Sequence, residues 1–238
     1  MILASIALLG VLAWAWTLLG GGLGGGRQMA GMAPAAPAGI PIVLTMWWVM
    51  MAAMMLPSAA PAILLYGRVR HERRDGAMIA RSWIFLSGYL LAWLGVAAAA
   101  TALQLLATRA GLLDAMAMRA TSSLLAGATL IATGLYQLSP LKNACLVNCR
   151  SPAGFLSRHW QPGNIGALRL GLLHGGYCIG CCWLLMALLF VGGVMNFLWI
   201  AALTALVAVE KLVRAGPEIA RLSGVLLILW GAIRILGI

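Results

Sequence analysis

Apolar residues in this chain come in long, almost unbroken runs. A water-soluble helix keeps one polar face, and a half-buried strand alternates apolar with polar positions. Here the runs cover residues 2–19, 41–66, a stretch within 77–108, 120–138, 167–191, 194–213 and 219–236. A helix needs about 20 such residues to cross the hydrocarbon core of a bilayer. The pattern predicts an all-α fold: a polytopic transmembrane helix bundle of about seven spans, or six if the first segment does not span, with residues 1–238 as one membrane domain.

The breaks between the runs differ in character. Residues 20–39 are rich in Gly, Pro and Ala, which disfavours regular structure. The most basic loop is 68–74, with Arg68, Arg70, His71, Arg73 and Arg74. Residues 139–166 read as a polar connection holding Cys145 and Cys149. Inside the second run, Pro57 and Pro61 interrupt the helix, and Pro57 frees a backbone carbonyl and predicts a kink. The first run is longer than a signal-peptide core, has no basic residue before it and has no clear cleavage site after it, so it reads as a membrane helix.

Composition agrees with the pattern. The chain is 63% hydrophobic and 9% charged, against roughly 25% charged in a soluble domain. The net charge of +11 does not point to nucleic acid, because the basic residues sit at the ends of apolar runs and form no separate patch interleaved with aromatics. With the N-terminus in the cytoplasm, 12 of the 16 Lys and Arg fall on the inner side, and only Arg27, Arg109, Arg119 and Arg234 fall outside. The expectation is a multi-pass protein of a bacterial inner membrane with a cytoplasmic N-terminus, the lipid bilayer as its first partner, and 139–166 on the cytoplasmic side.

The chemistry concentrates on the fifth run. His174, Cys178, Cys181 and Cys182 fall within about a third of the helix circumference at roughly 100° per residue, so they form one stripe. Imidazole and thiolate are ligands for soft and borderline metals, and an ionisable row at membrane depth is costly unless it faces protein or a cavity. A single buried cysteine is ordinary apolar filler; four such residues on one stripe read as a metal site. Gly171/Gly175 and Gly176/Gly180 on the same helix read as close helix packing.

Other candidates are weaker. Cys145 and Cys149 could grip an ion or feed the deeper ladder, and the reducing cytoplasm disfavours a resting disulfide between them. Met46, Met50 and Met54 share a helix face, where thioethers suit Cu(I) but also simply fill gaps. Glu210, beside Lys211, is read as an interfacial ion pair or as a carboxylate facing the site. No P-loop, dinucleotide fingerprint or Ser-His-Asp pattern occurs, and no C-x-x-C-H for a c-type haem.

Taken together, the runs His174-Gly-Gly-Tyr-Cys178-Ile-Gly-Cys181-Cys182-Trp183, Gly192-Gly-Val-Met195-Asn196, Val209-Glu210-Lys211 and Met46-Trp47-Trp48-Val-Met50-Met51-Ala-Ala-Met54-Met55-Leu-Pro57 resemble a bacterial family of predicted metal-binding integral membrane proteins, the domain of unknown function 2182. The resemblance runs from about Pro41 to Lys211 and implies metal binding in a membrane.

The leading expectation is a copper(I)-handling membrane protein, with zinc as the other candidate metal and a metal donor or acceptor protein as partner. Thiolate-rich, carboxylate-poor sites favour these ions over Mg, Ca or Mn, and the methionines tilt the choice to Cu(I). One alternative is a membrane thiol–disulfide oxidoreductase using the C-x-x-C pair Cys178/Cys181. Another is a subunit of a larger membrane complex whose cysteines hold a shared cofactor. The reading favours a non-enzymatic role and assigns no catalytic residue.

Overall fold

A computed structural model of the chain describes residues 2–18, 39–72, 78–114, 118–194 and 196–237. Apart from one isolated β-bridge between Leu113 and Ala120, every regular element among them is helical. In chain order these are α1 (Ile2–Leu18), α2 (Ile40–Glu72), α3 (Met78–Arg109), α4 (Ser123–Gln137), α5 (Pro140–Arg150), α6 (Pro152–His159), α7 (Gly163–Ala187), the single turn α8 (Leu189–Gly192), α9 (Phe197–Leu212) and α10 (Gly216–Leu236). The all-α expectation holds. The Gly/Pro-rich stretch up to residue 38 lies outside the described residues, as do Arg73 and Arg74 of the basic loop.

Length and apolarity single out the helices that suffice on their own to cross a bilayer among the described residues. The segments 40–69, 79–109, 163–192 and 216–236 are four candidate spans, and the bent pair α4 and α5 would make a fifth. Two of the apolar runs fall short. α1 has 17 residues and α9 has 16, about 24–26 Å at 1.5 Å per residue, against a hydrocarbon core of about 30 Å. The count of seven, or six without the first segment, is therefore not reached by length and apolarity. An unbroken apolar run sets no helix ends, which is why the run around α9 reads as longer than the helix it forms.

The 139–166 connection is also more ordered than its polarity implied. After α4 the chain turns by 64° into α5. Ser139 is extended (φ −73°, ψ 146°) and its hydroxyl accepts from Lys142 N, with Pro140 in the first turn. A residue before proline avoids the helical region, and proline suits the first turn of a helix, so Ser139-Pro140 ends one helix and starts the next. α6 follows, and α7 begins at Gly163, one turn earlier than the apolar run.

α2 passes through both prolines without a break and continues helically to Glu72, past the start of the expected basic loop. Pro57 has no N–H for the carbonyl four residues back, Ala53. Trp14 of α1 supplies the missing donor, with Nε1 3.1 Å from Ala53 O.

Close backbone approach joins α3 to α7. A β-carbon on Gly171 would run into Phe85 O, and one on Gly88 into Leu168 O. This bears out the packing reading of the Gly171/Gly175 pair. Gly176, by contrast, faces open space, and a β-carbon on Gly180 would meet the Cys145 sulfur at 2.7 Å. The core that results is lined by Trp47, Tyr66, Phe85, Tyr89 and Trp93 together with the methionines of α2 and the cysteines of α7.

Candidate metal centre

α7 buries the whole ladder. His174, Cys178 and Cys181 are each 2% exposed and Cys182 is 1% exposed. Because α7 lies against α3 through glycines, the side chains of α3 can reach its sulfurs: Tyr89 Oη is 3.2 Å from Cys178 Sγ. His174 sits among the rings of Phe85, Tyr89 and Phe155, with centroid separations of 6.1, 5.9 and 5.2 Å. Its Nδ1 is buried without a hydrogen-bond partner among the described residues. An unsatisfied buried nitrogen is costly, and a metal ligand is one use for it.

Three further elements bring donors to the stripe. From α5, Cys149 is buried and its sulfur is 3.9 Å from Cys181 Sγ. From α2, Met55 Sδ is 3.9 Å from Cys182 Sγ. From α9, Lys211 is buried and donates to Cys178 Sγ at 2.9 Å, with Ser58 Oγ at 3.4 Å and Met55 Sδ at 3.9 Å. All five cysteines are free, and Cys145, half-buried, stays beside Gly180.

The sulfurs are close together without forming a closed cage. Cys181 and Cys182 both turn back to donate to Cys178 O, at 3.1 and 2.9 Å. Thiols satisfied on their own helix are not aimed at a shared point. Accordingly, among the described residues no group of three or more His, Cys, Asp or Glu side chains is arranged to hold a metal ion. An ion entering here would have to swing these thiols off the Cys178 carbonyl.

Glu210 is placed away from the sulfurs. Its Oε2 accepts from Lys142 Nζ at 2.6 Å, the two side chains being 2% and 0% exposed, and its Oε1 accepts from Gln137 Nε2 at 2.7 Å. Gln137 also bonds Ser223 Oγ at 2.8 Å. Glu210 therefore pairs with Lys142 of α5, not with its neighbour Lys211. Consecutive helix residues diverge by about 100°, so Glu210 joins a polar cluster between α4, α5 and α10 while Lys211 joins the thiols.

Met46, Met50 and Met54 are buried at 5%, 3% and 1%, but the thioether in contact with the ladder belongs to Met55. Sequence reasoning passed over Met55, Tyr89, Ser58 and Lys211 as site residues. A lysine within an apolar run, with a spare acid beside it, was the signal for the last of these; Tyr89 and Ser58 carried none.

A family model described as PpoB2, copper chaperone, matches residues 44–234. It takes in the last helix, which the motif resemblance left out, and its description is copper handling where the resemblance had given metal binding of unknown function. No curated protein matches the chain, and no solved structure does. With a match over most of its length, from the methionine-rich α2 through the cysteine ladder to α10, the chain belongs to the PpoB2 copper chaperone family.

Proposed function

We propose that the chain is a membrane-embedded copper(I) carrier that takes up the ion among the sulfurs of Cys178, Cys181, Cys182, Cys149 and Met55 and yields it to a protein partner. The observation that carries this reading is the buried gathering of thiols and a thioether from α7, α5 and α2 in a member of a copper chaperone family. Soft sulfur donors select Cu(I). Structural zinc asks for four N or S ligands in a tetrahedron, which donors turned onto their own backbone do not supply. His174 extends the set by its unpartnered Nδ1 toward α6, and Cys145 extends it along α5. Met46, Met50 and Met54 line the same interior in this reading, and Glu210 holds α5 and α9 together without touching the ion.

A loosely preorganised site suits a carrier. The ion's bonds must be exchangeable, and ligands held by weak thiol–carbonyl bonds can be won and lost again. Lys211 contributes to this exchange. Its ammonium occupies the sulfur face that Cu(I) would occupy, and like charges at this depth repel, so the lysine competes with the ion and favours its release.

The test is competition with a Cu(I)-specific chromophoric chelator, using full-length protein prepared anaerobically. Wild type is expected to withdraw copper from the chelator. Cys178→Ser and Cys182→Ser, which hardly alter side-chain volume, are expected to withdraw markedly less. Copper withdrawal unchanged in both variants would remove the α7 ladder as the site.

A second reading rests on one contact. Cys149 and Cys181, with sulfurs 3.9 Å apart across α5 and α7, could cycle between dithiol and disulfide, giving a thiol–disulfide oxidoreductase. This differs from the Cys178/Cys181 pair expected from spacing. Thiol trapping in cells decides between the readings: a carrier keeps Cys149 and Cys181 reduced, whereas an oxidoreductase shows a disulfide population that responds to its electron partner.

A further inference from the structure

Met118 is the non-glycine residue with a positive φ, +48°, among the described residues. For a side chain such as methionine that conformation is strained, because Cβ crowds the following carbonyl oxygen. Met118 N donates to Asp114 O at 2.9 Å, and Ala120 N to Phe190 O at 2.7 Å. Met118 in this strained conformation puts a thioether inside the protein. Met118 is 4% exposed, and its Sδ lies 3.4 Å from Gln104 Nε2.

Gln104 is itself buried, and its orientation is fixed. Trp47 Nε1 lies 2.6 Å from Gln104 Oε1. An indole N–H can only donate, so the amide oxygen faces Trp47 and the amino group faces the Met118 sulfur. Trp47 stands on α2 between Met46 and Met50, and Met54 and Met55 follow one turn further on. All of these methionines are buried, at 5% exposure or less. Trp47 and Met55 are eight residues apart, about 12 Å along the axis at 1.5 Å per residue. Buried thioethers thus stand at Met118, linked to α2 through Gln104 and Trp47, and along α2 as far as Met55, whose sulfur is 3.9 Å from Cys182 Sγ. A methionine needed only for volume could be leucine, and would gain nothing from an αL backbone.

We propose that Met118 is the receiving donor of a thioether column, Met118–Met46–Met50–Met54–Met55, which accepts a soft monovalent metal ion at the α8 end of the bundle and delivers it to Cys182. This rests on the copper-carrier reading and adds to it a second site and a direction. Thioethers are neutral ligands, whereas the Cys182 thiol becomes an anionic thiolate when the arriving cation displaces its proton to solvent, so a soft cation moves down the column toward the stronger donor. Gln104 is a positioning residue: it holds the sulfur in place until the ion displaces the weak N–H···S bond.

The test uses the full-length protein in detergent and Ag(I), a redox-stable soft monovalent cation, as probe. Loading rate and final stoichiometry are measured for wild type, Met118→Leu, Met118→Cys and Met118→Gly. Met118→Leu is expected to load about tenfold more slowly and to reach the wild-type end point. Met118→Cys, which keeps a soft donor, should load within about twofold of wild type. Met118→Gly, which relieves the φ strain but also empties a buried side-chain site, should load as slowly as the leucine variant. Wild-type loading in Met118→Leu would overturn the column while leaving the thiol site standing. A wild-type protein that takes up neither Ag(I) nor Cu(I) would overturn the carrier reading and the column with it. Should the leucine and cysteine variants not fold, the methyl resonance of Met118 in methionine-labelled protein decides, assigned through Met118→Gly. It is expected to shift on Ag(I) addition beyond saturation of the thiols, and an unmoved resonance would overturn the proposal.

Discussion

Replacing Lys142 by methionine would strand Glu210 in the interior with Gln137 as its remaining side-chain partner. Lys142 Nζ and Glu210 Oε2 are 2.6 Å apart and almost completely buried. At that separation and an effective dielectric of about 20, the attraction is about 6 kcal/mol, largely offset by the cost of taking both charges out of water. Removing one partner forfeits the attraction and keeps the other charge's desolvation cost, so Lys142→Met should destabilise by about 3–5 kcal/mol. The lower end of that range is expected, because Arg150 still ties α5 to α9 through Glu210 O and Val213 O at 2.7 and 2.6 Å. The double variant Lys142→Met/Glu210→Gln should regain most of the loss, since no buried charge is left. The assay is unfolding of the detergent-solubilised chain in rising SDS, followed by circular dichroism. A second readout is the rate at which a short bifunctional thiol reagent bridges Cys149 to Cys181, because the ion pair fixes α5 against α9 and α5 carries Cys149 to within 3.9 Å of Cys181. A Lys142→Met protein within about 0.5 kcal/mol of wild type, or a double variant no better than the single, would refute the reasoning.

Further outcomes follow from other contacts. Lys211→Met removes the competing cation and adds a thioether, and is expected to raise Cu(I) affinity at least about tenfold in chelator competition; lower affinity would show that the lysine helps hold the ion. Gly171→Val pushes a methyl into the Phe85 carbonyl and should cost about 1–3 kcal/mol or more in the same SDS assay, with Gly176→Ala, which faces open space, as the neutral control. A topology reporter fused after Arg74 should report cytoplasm, and one fused within 20–39 the outside; the reverse would overturn the cytoplasmic placement of Cys145 and Cys149. In cells, bound Cu(I) should protect Cys178, Cys181 and Cys182 from maleimide, and a copper-independent rate would count against the carrier.

How much of this was legible in the chain depends on the range of the interaction. The stripe His174, Cys178, Cys181, Cys182 follows from helix periodicity alone, and α7 buries it as one face. Close packing of α7 on a neighbour followed from Gly171/Gly175, because small residues at that spacing have few other uses in an apolar helix; that the neighbour is α3 did not. What crosses between helices was not legible. Met55 and not Met54 meets Cys182 because rotation of α2 about its own axis is set by packing, and an evenly apolar helix gives no clue to it. Glu210 and Lys211 looked like partners because they are neighbours in sequence, but successive residues of a helix point apart, and it is Lys142 of α5 that meets the acid. The extent of α9 was not legible for a related reason: hydropathy marks where a helix can lie in lipid, whereas Asn196, whose Oδ1 accepts from Trp199 N, sets where α9 begins.

Whether copper is held by sulfur from α7 and its neighbours is read directly by X-ray absorption at the copper edge of anaerobically loaded, full-length protein. A low-coordinate Cu(I) spectrum dominated by sulfur scatterers is expected, with sulfur lost from it in Cys182→Ser. A coordination sphere of oxygen and nitrogen, or a sulfur signal indifferent to Cys178, Cys181 and Cys182 replaced together, would contradict it.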